Sequence, residues 1–525
     1  MIRHPLPAAP QPFPTAPQRC PTAPQPVPTA PQPCPTVPLR TPAAAFLLAA
    51  VACSTPAAAF LLAAVACSTP AAAVPDATPA RPTWDPALPP SATLGERRGL
   101  HPARGIIHLH SPYSHDACDG RPRALDGTVD EQCLLDLRAA LCRTRIDFAA
   151  LTDHDDSMAD EPWGPELFLF RSGDELVPAA DGTPIASRLR CPDDAGDHET
   201  LIFVGGENDL MPVLLDHHPP GDVAARHDAY NASDAAAVLH FREQGGLTFV
   251  AHTEGRAPGE LIPLAPDGVE IFNLHAAIDP DIRRDDLGLD GSEAFRRVID
   301  FADSSLADPP EPDLAFLAFL AENAPSIARW EELLLAGQRV LGTAGTDAHQ
   351  NALPIILRDG ERGDSYRRML RWFGNIALVT TPGDPVAVEA ALAARRTFVV
   401  FEVLGTPVGF DFHAATSDGS IVEIGGDAPV GAELVAVTPA LLAPDDRFLA
   451  PTLTTRLLRV DAAGAVLLAE GTGEVRAAID RPGVYRAEVR MIPHHLAPLL
   501  GTLAPRGYAE IEQVWIYANP IYTLP

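Results

Sequence analysis

Residues 105–110 read Gly-Ile-Ile-His-Leu-His, an apolar stretch that ends in two histidines separated by one residue. Because residues i and i+2 of a strand project to the same face, the imidazoles of His108 and His110 can reach one metal ion. A second pair with this spacing, Asp347 and His349, follows the apolar stretch Val-Leu-Gly-Thr-Ala. The two pairs predict strands whose ends carry metal ligands.

Between residues 105 and 400, short apolar segments alternate with longer segments of helical pattern, which predicts a series of β–α units. Three more of the apolar segments end in metal-binding residue types, namely His154, Glu207 and His252. In a parallel βα barrel such strand ends converge on the face that carries the active site. A single strand-end histidine is more often a hydrogen-bonded structural residue, but five such ends together favour a metal site. The predicted strands are 105–109, 147–152, 201–205, 247–251, 268–272 and 340–344, and the predicted helices are 131–144, 233–244, 291–302, 325–337 and 386–395.

The motifs HLHSPYSHDA, LTDHD, VGGE, VAH and GTDAH, in this order, resemble the successive motifs of the PHP (polymerase and histidinol phosphatase) superfamily. The resemblance covers roughly residues 104–400. It implies a distorted (β/α)7 barrel that holds two or three zinc, manganese or iron ions, with Glu207 bridging ions. The ligands that it implies are His108, His110, His154, Glu207, His252, Asp347 and His349.

Two further ligand positions have alternatives. Either His115 or Asp116 stands where the family has a ligand after the HxH pair, and the sequence context favours Asp116. Either His217 or His218 can supply the histidine expected after the glutamate motif, with a solvated loop as the alternative. We predict that Asp116 and His217 are metal ligands, and we expect Asp153 to orient a ligating histidine.

The residues predicted to take part in catalysis, or to lie near it, follow from the same motifs. Glu270 and Asn273 resemble the family's GVEVFN stretch and have either a pocket role or a structural one. His275 and Arg256 are candidate contacts for substrate oxygens, although Arg256 also fits an ordinary surface arginine. The candidate catalytic residues are Asp116, Asp153, His252 and His349.

The predicted activity is hydrolysis by a metal-bridged hydroxide. Divalent ions that share a water lower its pKa, and the sequence shows neither a GxSxG motif nor a cysteine in a nucleophile context. The PHP resemblance favours a phosphoesterase acting on a small phosphomonoester or phosphodiester. Because few positive groups surround the motifs, a carboxylic ester, carbamate or amide hydrolase is the alternative. A non-catalytic binding or surface protein is a third hypothesis, against which the nearly complete ligand set argues.

Composition restricts the possible partners. The formal net charge is −30, and all 39 basic residues are arginine. A protein of this charge repels the phosphate backbone, so we expect a small-molecule substrate and no nucleic acid. The absence of lysine excludes a Schiff-base lysine and a phosphate-loop lysine. The oligomeric state stays open.

The N-terminal region predicts export. Proline-rich repeats fill residues 1–40, and TPAAAFLLAAVACS at 41–54 is repeated at 55–68. Each copy has a short apolar core and ends in Ala-Val-Ala-Cys, which resembles a signal peptide with a lipoprotein cleavage site at Cys53 or Cys67. We expect a periplasmic, outer-membrane lipoprotein or extracellular location, with membrane attachment only through N-terminal lipidation.

Four cysteines lie in the later part of the chain, Cys118, Cys133, Cys142 and Cys191. They allow two disulfides in an oxidising compartment, or they remain buried thiols.

Beyond residue 400 the pattern changes to short strands separated by Gly, Pro and Asp, which predicts an immunoglobulin-like β-sandwich. The segments ARRTFVVFEVLG and ANPIYTLP resemble exported PHP proteins in which a sandwich follows the barrel, a group that includes carbamate or ester hydrolases.

The insertion between His275 and Val340 is expected to form a lid or pocket wall, or a dimer contact. The predicted segments are a disordered leader 1–40, a signal or lipoprotein-like repeat 41–75, a linker 76–100, a PHP metallohydrolase domain 101–400 and a β-sandwich domain 401–525.

Overall fold

The computed structural model describes residues 80–192, 196–302 and 305–523. The predicted leader 1–40, the signal-like repeat 41–75 and residues 76–79 of the predicted linker lie outside the described residues. Within the described ranges, no helix has both the length and the apolar character that crossing a bilayer requires. Residues 80–100 of the predicted linker pack against the rest of the fold: Leu88 and Leu94 are buried, and Trp84 Nε1 donates a hydrogen bond to Asp313 Oδ2 over 2.8 Å.

Strands and helices alternate as far as residue 400, and strands predominate after it. Each strand and helix predicted between 105 and 400 is present, with ends that differ by a few residues. The strands are β1 His101–Leu109, β2 Phe148–Leu151, β3 Glu175–Pro178, β4 Pro184–Arg190, β5 Glu199–Val204, β6 Met211–Val213, β7 Leu247–Val250, β8 Gly268–Asn273, β9 Leu341–Ala348, β10 Gly374–Val379, β11 Thr397–Val400, β12 Pro407–Val408, β13 Asp411–Ala415, β14 Ile421–Glu423, β15 Glu433–Val437, β16 Ala440–Leu441, β17 Thr452–Asp461, β18 Gly464–Gly471, β19 Glu474–Ala478, β20 Gly483–Ile492, β21 Gln513–Ala518 and β22 Ile521–Thr523. The helices are α1 Ala117–Gly120, α2 Glu131–Arg143, α3 Asp155–Met158, α4 Val223–Tyr230, α5 Ala235–Glu243, α6 Leu274–Ile278, α7 Pro280–Asp285, α8 Gly291–Ala302, α9 Ala324–Leu335, α10 Tyr366–Trp372, α11 Pro385–Ala393 and α12 Ala497–Leu500.

Strand β1 lies at the centre of the parallel part of the sheet. It pairs in parallel with β2 and with β9, while its first residues pair antiparallel with β10. Parallel pairing continues from β2 to β5 and from β9 through β8 to β7. The carboxyl ends of these six strands therefore point the same way, which is the arrangement that brings strand-end side chains together. The mixed α/β architecture is confirmed, and closure into a (β/α)7 barrel stays a prediction.

The C-terminal region is all-β in its long elements, as predicted. Strands β17, β18, β20, β21 and β22 extend the large sheet through the antiparallel pair of β11 and β21. Strands β13, β14, β15 and β19 form a separate four-stranded sheet. The arrangement of these strands as an immunoglobulin-like sandwich stays a prediction.

Local sequence explains where the longer helices begin. The Asp130 side chain accepts a hydrogen bond from the backbone N–H of Cys133, which satisfies one of the unpaired amides at the start of α2. Asp222 and Asp234 cap α4 and α5 in the same way. Asx caps of this type stabilise a helix by about 1 kcal/mol each.

Two disulfides fix the segment that follows β1. Cys118 is bonded to Cys133 in α2, and Cys142 at the other end of α2 is bonded to Cys191. The backbone N–H of Cys118 also donates to the carbonyl of His349 over 2.8 Å. The turn that carries Asp116 is therefore held to α2 and to the end of β9.

Candidate metal centre

Strand ends bring histidine and carboxylate side chains into one cluster. Nearly all of these residues lie at, or within a few residues of, the carboxyl end of a parallel strand. Three groups have ligand atoms within 4.8 Å of one another, a separation that one metal ion could bridge. The groups are His108, His110, Glu207 and Asp347; His110, Asp116 and His154; and His252, His275 and Asp347.

Two buried carboxylates form the centre of the cluster. Glu207 Oε2 lies 3.0 Å from the Nε2 atoms of both His108 and His110. The Asp347 carboxylate is within 3.3 Å of five imidazoles, those of His108, His110, His252, His275 and His349. Each carboxylate therefore faces several nitrogen ligands at once, as expected of a residue that binds more than one ion.

The backbone is strained at three residues of the cluster. His108, His252 and Asp347 have φ values of 71°, 49° and 48°, in the left-handed region that non-glycine residues rarely adopt. At His108 the pairing of β1 with β9 also shifts in register. Such conformations persist only where the surrounding structure enforces them, and they concentrate at functional sites.

The hydrogen bonds of the histidines fit a bound cation. His108 Nδ1 lies 2.7 Å from Glu270 Oε1, so this nitrogen carries the proton that the carboxylate accepts. The other nitrogen, Nε2, then turns a lone pair toward the Glu207 carboxylate. Nε2 of His108 and of His110 are buried and make no hydrogen bond with any described group. A divalent cation held by these imidazoles and carboxylates would remove the repulsion, and nitrogen and oxygen donors suit zinc, manganese and iron.

Without a cation, protons take its place. Burial lowers the pKa of His110, but Asp347 and Glu207 raise it to about 10. Burial raises the pKa of Glu207, yet the facing imidazoles of His108, His110 and His252 bring it well below its ordinary value. The carboxylates are thus ionised at neutral pH, and metal binding would release protons from the imidazoles.

Glu270, for which the sequence left open a pocket role or a structural one, contacts two histidines of the cluster. Its Oε1 pairs with His108 Nδ1, and its Oε2 accepts hydrogen bonds from the backbone N–H of His252 over 3.0 Å and from the side-chain amide of Asn273 over 2.9 Å. Gly345 on β9 leaves room for this carboxylate, because a Cβ there would lie 1.8 Å from Glu270 Oε1. Glu270 and Asn273 therefore act beneath the cluster and do not line its open side.

We expect Glu270→Gln to weaken metal binding by about 10- to 100-fold, because the amide loses the charge that orients and polarises His108. Metal affinity would be measured by competition with a chelator, with Glu260→Gln on the surface as the control. Circular dichroism would establish that both variants are folded. Equal metal affinity in the wild type and in Glu270→Gln would contradict this role.

Glu254 supports the cluster from a second direction and was missed by sequence reasoning. Its Oε1 lies 3.3 Å from His252 Nδ1, while Oε2 accepts hydrogen bonds from Asn323 and Ser326 at the start of α9. The one feature of the sequence that could have indicated this role is that Glu254 stands two residues after His252. Its hydrogen-bond partners Asn323 and Ser326 lie 69 and 72 residues further along the chain.

The structure decides between the alternatives near β1 and β2. Asp116 Oδ2 lies 3.3 Å from His349 Nε2 and 3.6 Å from His154 Nε2, so it belongs to the cluster. His115 is 55% exposed and pairs with Asp156. Asp153 is buried and accepts hydrogen bonds from the backbone N–H and the hydroxyl of Ser111, and burial raises its pKa to about 6. It therefore fixes the turn after His110 and contacts no ligating imidazole directly.

His275 lies in the cluster, whereas His217, the predicted ligand, does not join any of the three groups. Its Nδ1 lies 3.3 Å from Asp347 Oδ2, and it follows the end of β8 by two residues, the same strand-end signal as the other ligands. His217 Nδ1 bonds the backbone carbonyl of His218. The His218 imidazole contacts the Tyr230 hydroxyl and the carbonyl of Glu161, so neither histidine joins the three groups.

Arg256 pairs with Asp209 and Glu260 at the surface, which is the ordinary surface role that the sequence also allowed.

The cluster opens on one side to a cavity of about 510 Å³. His108 and His110 are fully buried, whereas the side chains of His154, His252 and His275 are 25%, 34% and 41% exposed toward it. A small molecule can therefore reach the cluster from this cavity. The other residues that line the cavity are Asp116, Glu207, Ile278, Asp279, Pro280, Phe295, Asp347, His349, Asn351 and Ala352.

Comparisons with known proteins add little to this geometry. No family model matches the chain, and no curated protein matches it. A solved structure of a two-domain protein containing a predicted PHP-like metal-dependent phosphoesterase from Bacteroides vulgatus ATCC 8482 is similar to this chain. It is 12% identical, with 80% of this chain and 96% of that chain covered and a TM-score of 0.31. A likeness at this level supports no inference about the site.

Proposed function

We propose that this chain is a metal-dependent hydrolase of the PHP superfamily that cleaves a small phosphomonoester or phosphodiester. The observation that carries the proposal is the convergence of six imidazoles on the carboxylates of Glu207 and Asp347, open on one side to a cavity. Such a cluster has little reason to exist without cations, since it places buried lone pairs and carboxylates against one another. The motif order of the PHP superfamily in the sequence supports the same proposal.

Bound divalent cations supply a water of lowered pKa and a positive charge for the substrate oxygens. In the reaction, the water oxygen forms a bond to phosphorus, the bond from phosphorus to the alcohol oxygen breaks, and the alcohol leaves with a proton. Asp116, His252 and His349, three of the candidate catalytic residues, line the cavity and can hold or donate protons there. Asp153, the fourth, supports the turn after His110.

A carboxylic ester, carbamate or amide hydrolase on the same cluster is the second candidate. The observation in its favour is the composition of the cavity wall, in which no described lining residue is arginine. The cations alone would then have to neutralise a phosphate dianion. Two divalent cations would carry four positive charges against the four negative charges of the carboxylates that line the cavity, Asp116, Glu207, Asp279 and Asp347, which suits a substrate of low charge.

The test measures metal content and hydrolysis on the full chain, beside a His108→Ala/Asp347→Ala variant. The substrates are p-nitrophenyl phosphate, bis-p-nitrophenyl phosphate, an aryl acetate and an aryl carbamate. We expect more than one divalent ion per chain and phosphate-ester turnover that the variant loses. Selective acetate or carbamate turnover would establish the second candidate. Protein with neither ions nor activity after reconstitution with Mn or Zn would contradict both and leave a binding protein.

We also infer that the chain is exported. The two disulfides support this inference, because disulfides persist mainly in oxidising compartments. Cell fractionation would test it, with a variant lacking residues 41–68 as the control, and retention of the intact chain in the cytoplasm would contradict it.

A further inference from the structure

The cavity beside the cluster has two unlike halves. One half consists of the candidate metal ligands, which are histidines and carboxylates. The other half is a wall formed mainly by the segment after β8. This segment, which holds α6, α7 and α8, contributes Ile278, Pro280 and Phe295 to the wall. Ala352 completes the apolar surface from the segment after β9. A molecule bound through one reactive group at the cluster therefore has the rest of its body against this wall.

The wall offers no cationic side chain to a second anionic group. The chain has no lysine, and none of the described residues that line the cavity is arginine. Neighbouring arginines are engaged elsewhere: Arg283 is buried and donates to the carbonyls of Ala277 and Phe319. Arg362 pairs with Asp119 and Asp364. A substrate with a second phosphate or carboxylate would thus lose hydration there without gaining a partner.

Asp279 adds a negative charge to the same wall. One of its oxygens accepts the backbone N–H groups of Asp281 and Ile282 at the start of α7, and the other lies 3.9 Å from His275 Nε2. Its side chain is 33% exposed, so its charge is felt in the cavity. Like charges that face each other are an effective means of rejecting a wrong ligand.

We propose that the substrate is an ester with a single reactive group on an uncharged, apolar body, such as an aryl or alkyl group, and that Phe295 selects this body. The proposal rests on hydrolysis at the metal cluster, and it holds for a phosphate or a carboxyl ester alike. Apolar walls with a few polar groups are typical of small-molecule sites, and the cavity volume of about 510 Å³ lies in the range of such sites. The same wall disfavours sugar bisphosphates and dicarboxylates, because their second anionic group would face Asp279 without a cationic partner.

The first test is binding, which does not require turnover. The metal-loaded full chain would be titrated with phenylphosphonate and methylphosphonate, which share the anionic group and differ in the apolar body. We expect phenylphosphonate to bind at least about tenfold more tightly. The Phe295→Ser variant should lose most of this preference, and Ile299→Ser on the exposed side of α8 should keep it. Equal affinity for the two phosphonates, or an unchanged preference in Phe295→Ser, would overturn the proposal.

A second variant keeps the proposal testable if Phe295→Ser fails to fold. Asp279→Asn retains an N-capping side chain and removes the negative charge. We expect it to improve the binding of 4-carboxyphenylphosphonate relative to phenylphosphonate by at least about threefold. No change in this ratio would contradict the role of Asp279. A phenyl preference without turnover of any ester would refute the proposed hydrolase while leaving the inferred ligand class intact.

Discussion

Asp347→Ala is expected to lower hydrolysis by at least about a thousandfold and to remove most of the bound metal. The reason is that one carboxylate serves five imidazoles, all within 3.3 Å, and belongs to two of the three ligand groups. No other described side chain can replace it, because Glu207 is already shared among four imidazoles. Burial raises the pKa of Asp347, but the histidines hold it well below the ordinary value, so the charge is present at neutral pH.

Metal content would be measured by elemental analysis and activity with the substrate that the wild type prefers. Asp445→Ala, in an exposed loop of the C-terminal region, is the control and should match the wild type. Circular dichroism would distinguish a lost site from a lost fold. An Asp347→Ala protein that is folded, metal-loaded and active within tenfold of the wild type would contradict the assignment of the centre.

Arg104→Ala is expected to reduce the free energy of unfolding by about 3–5 kcal/mol. The Arg104 guanidinium is fully buried and bonds both oxygens of the equally buried Glu402, over 2.6 and 3.0 Å. It also donates to the carbonyls of Pro89 and Arg145. Among the described side chains, the alanine variant leaves the buried Glu402 carboxylate with the Thr406 hydroxyl as its one hydrogen-bond donor. An uncompensated charge in this position costs far more than the lost contacts themselves.

Denaturant unfolding would measure the effect, and Arg242→Ala is the matched control. Arg242 also makes a two-point contact with a carboxylate, that of Asp267, but at the surface, where such a pair contributes less than about 1 kcal/mol. The double variant Arg104→Leu/Glu402→Leu should recover part of the stability, because it removes both charges. An Arg104→Ala loss no larger than that of Arg242→Ala would contradict this account.

Several features of the fold and the centre were predictable from sequence because they depend on local patterns. Alternate residues of a strand share a face, so the spacing of His108 and His110 predicted that both imidazoles reach one point. Their Nε2 atoms indeed lie at the same 3.0 Å from one carboxylate oxygen. The apolar segments before His154, Glu207 and His252 predicted parallel strands by their length and spacing. Parallel pairing then brings the ends of these strands together.

The choice between candidate histidines was made by the tertiary structure. His275 follows the end of β8 by two residues, but only the folded chain shows that its imidazole, and not that of His217, lies beside Asp347. Glu270 is 162 residues from His108, and Arg104 is 298 residues from Glu402. No sequence pattern predicts that residues so far apart along the chain are in contact. The cavity wall likewise depends on where α7 and α8 pack after β8. The sequence alone determined which residue types stand at strand ends, since backbone geometry acts over a few residues. The partners of those residues were decided only by the folded chain, because burial and charge pairing act between segments far apart in sequence.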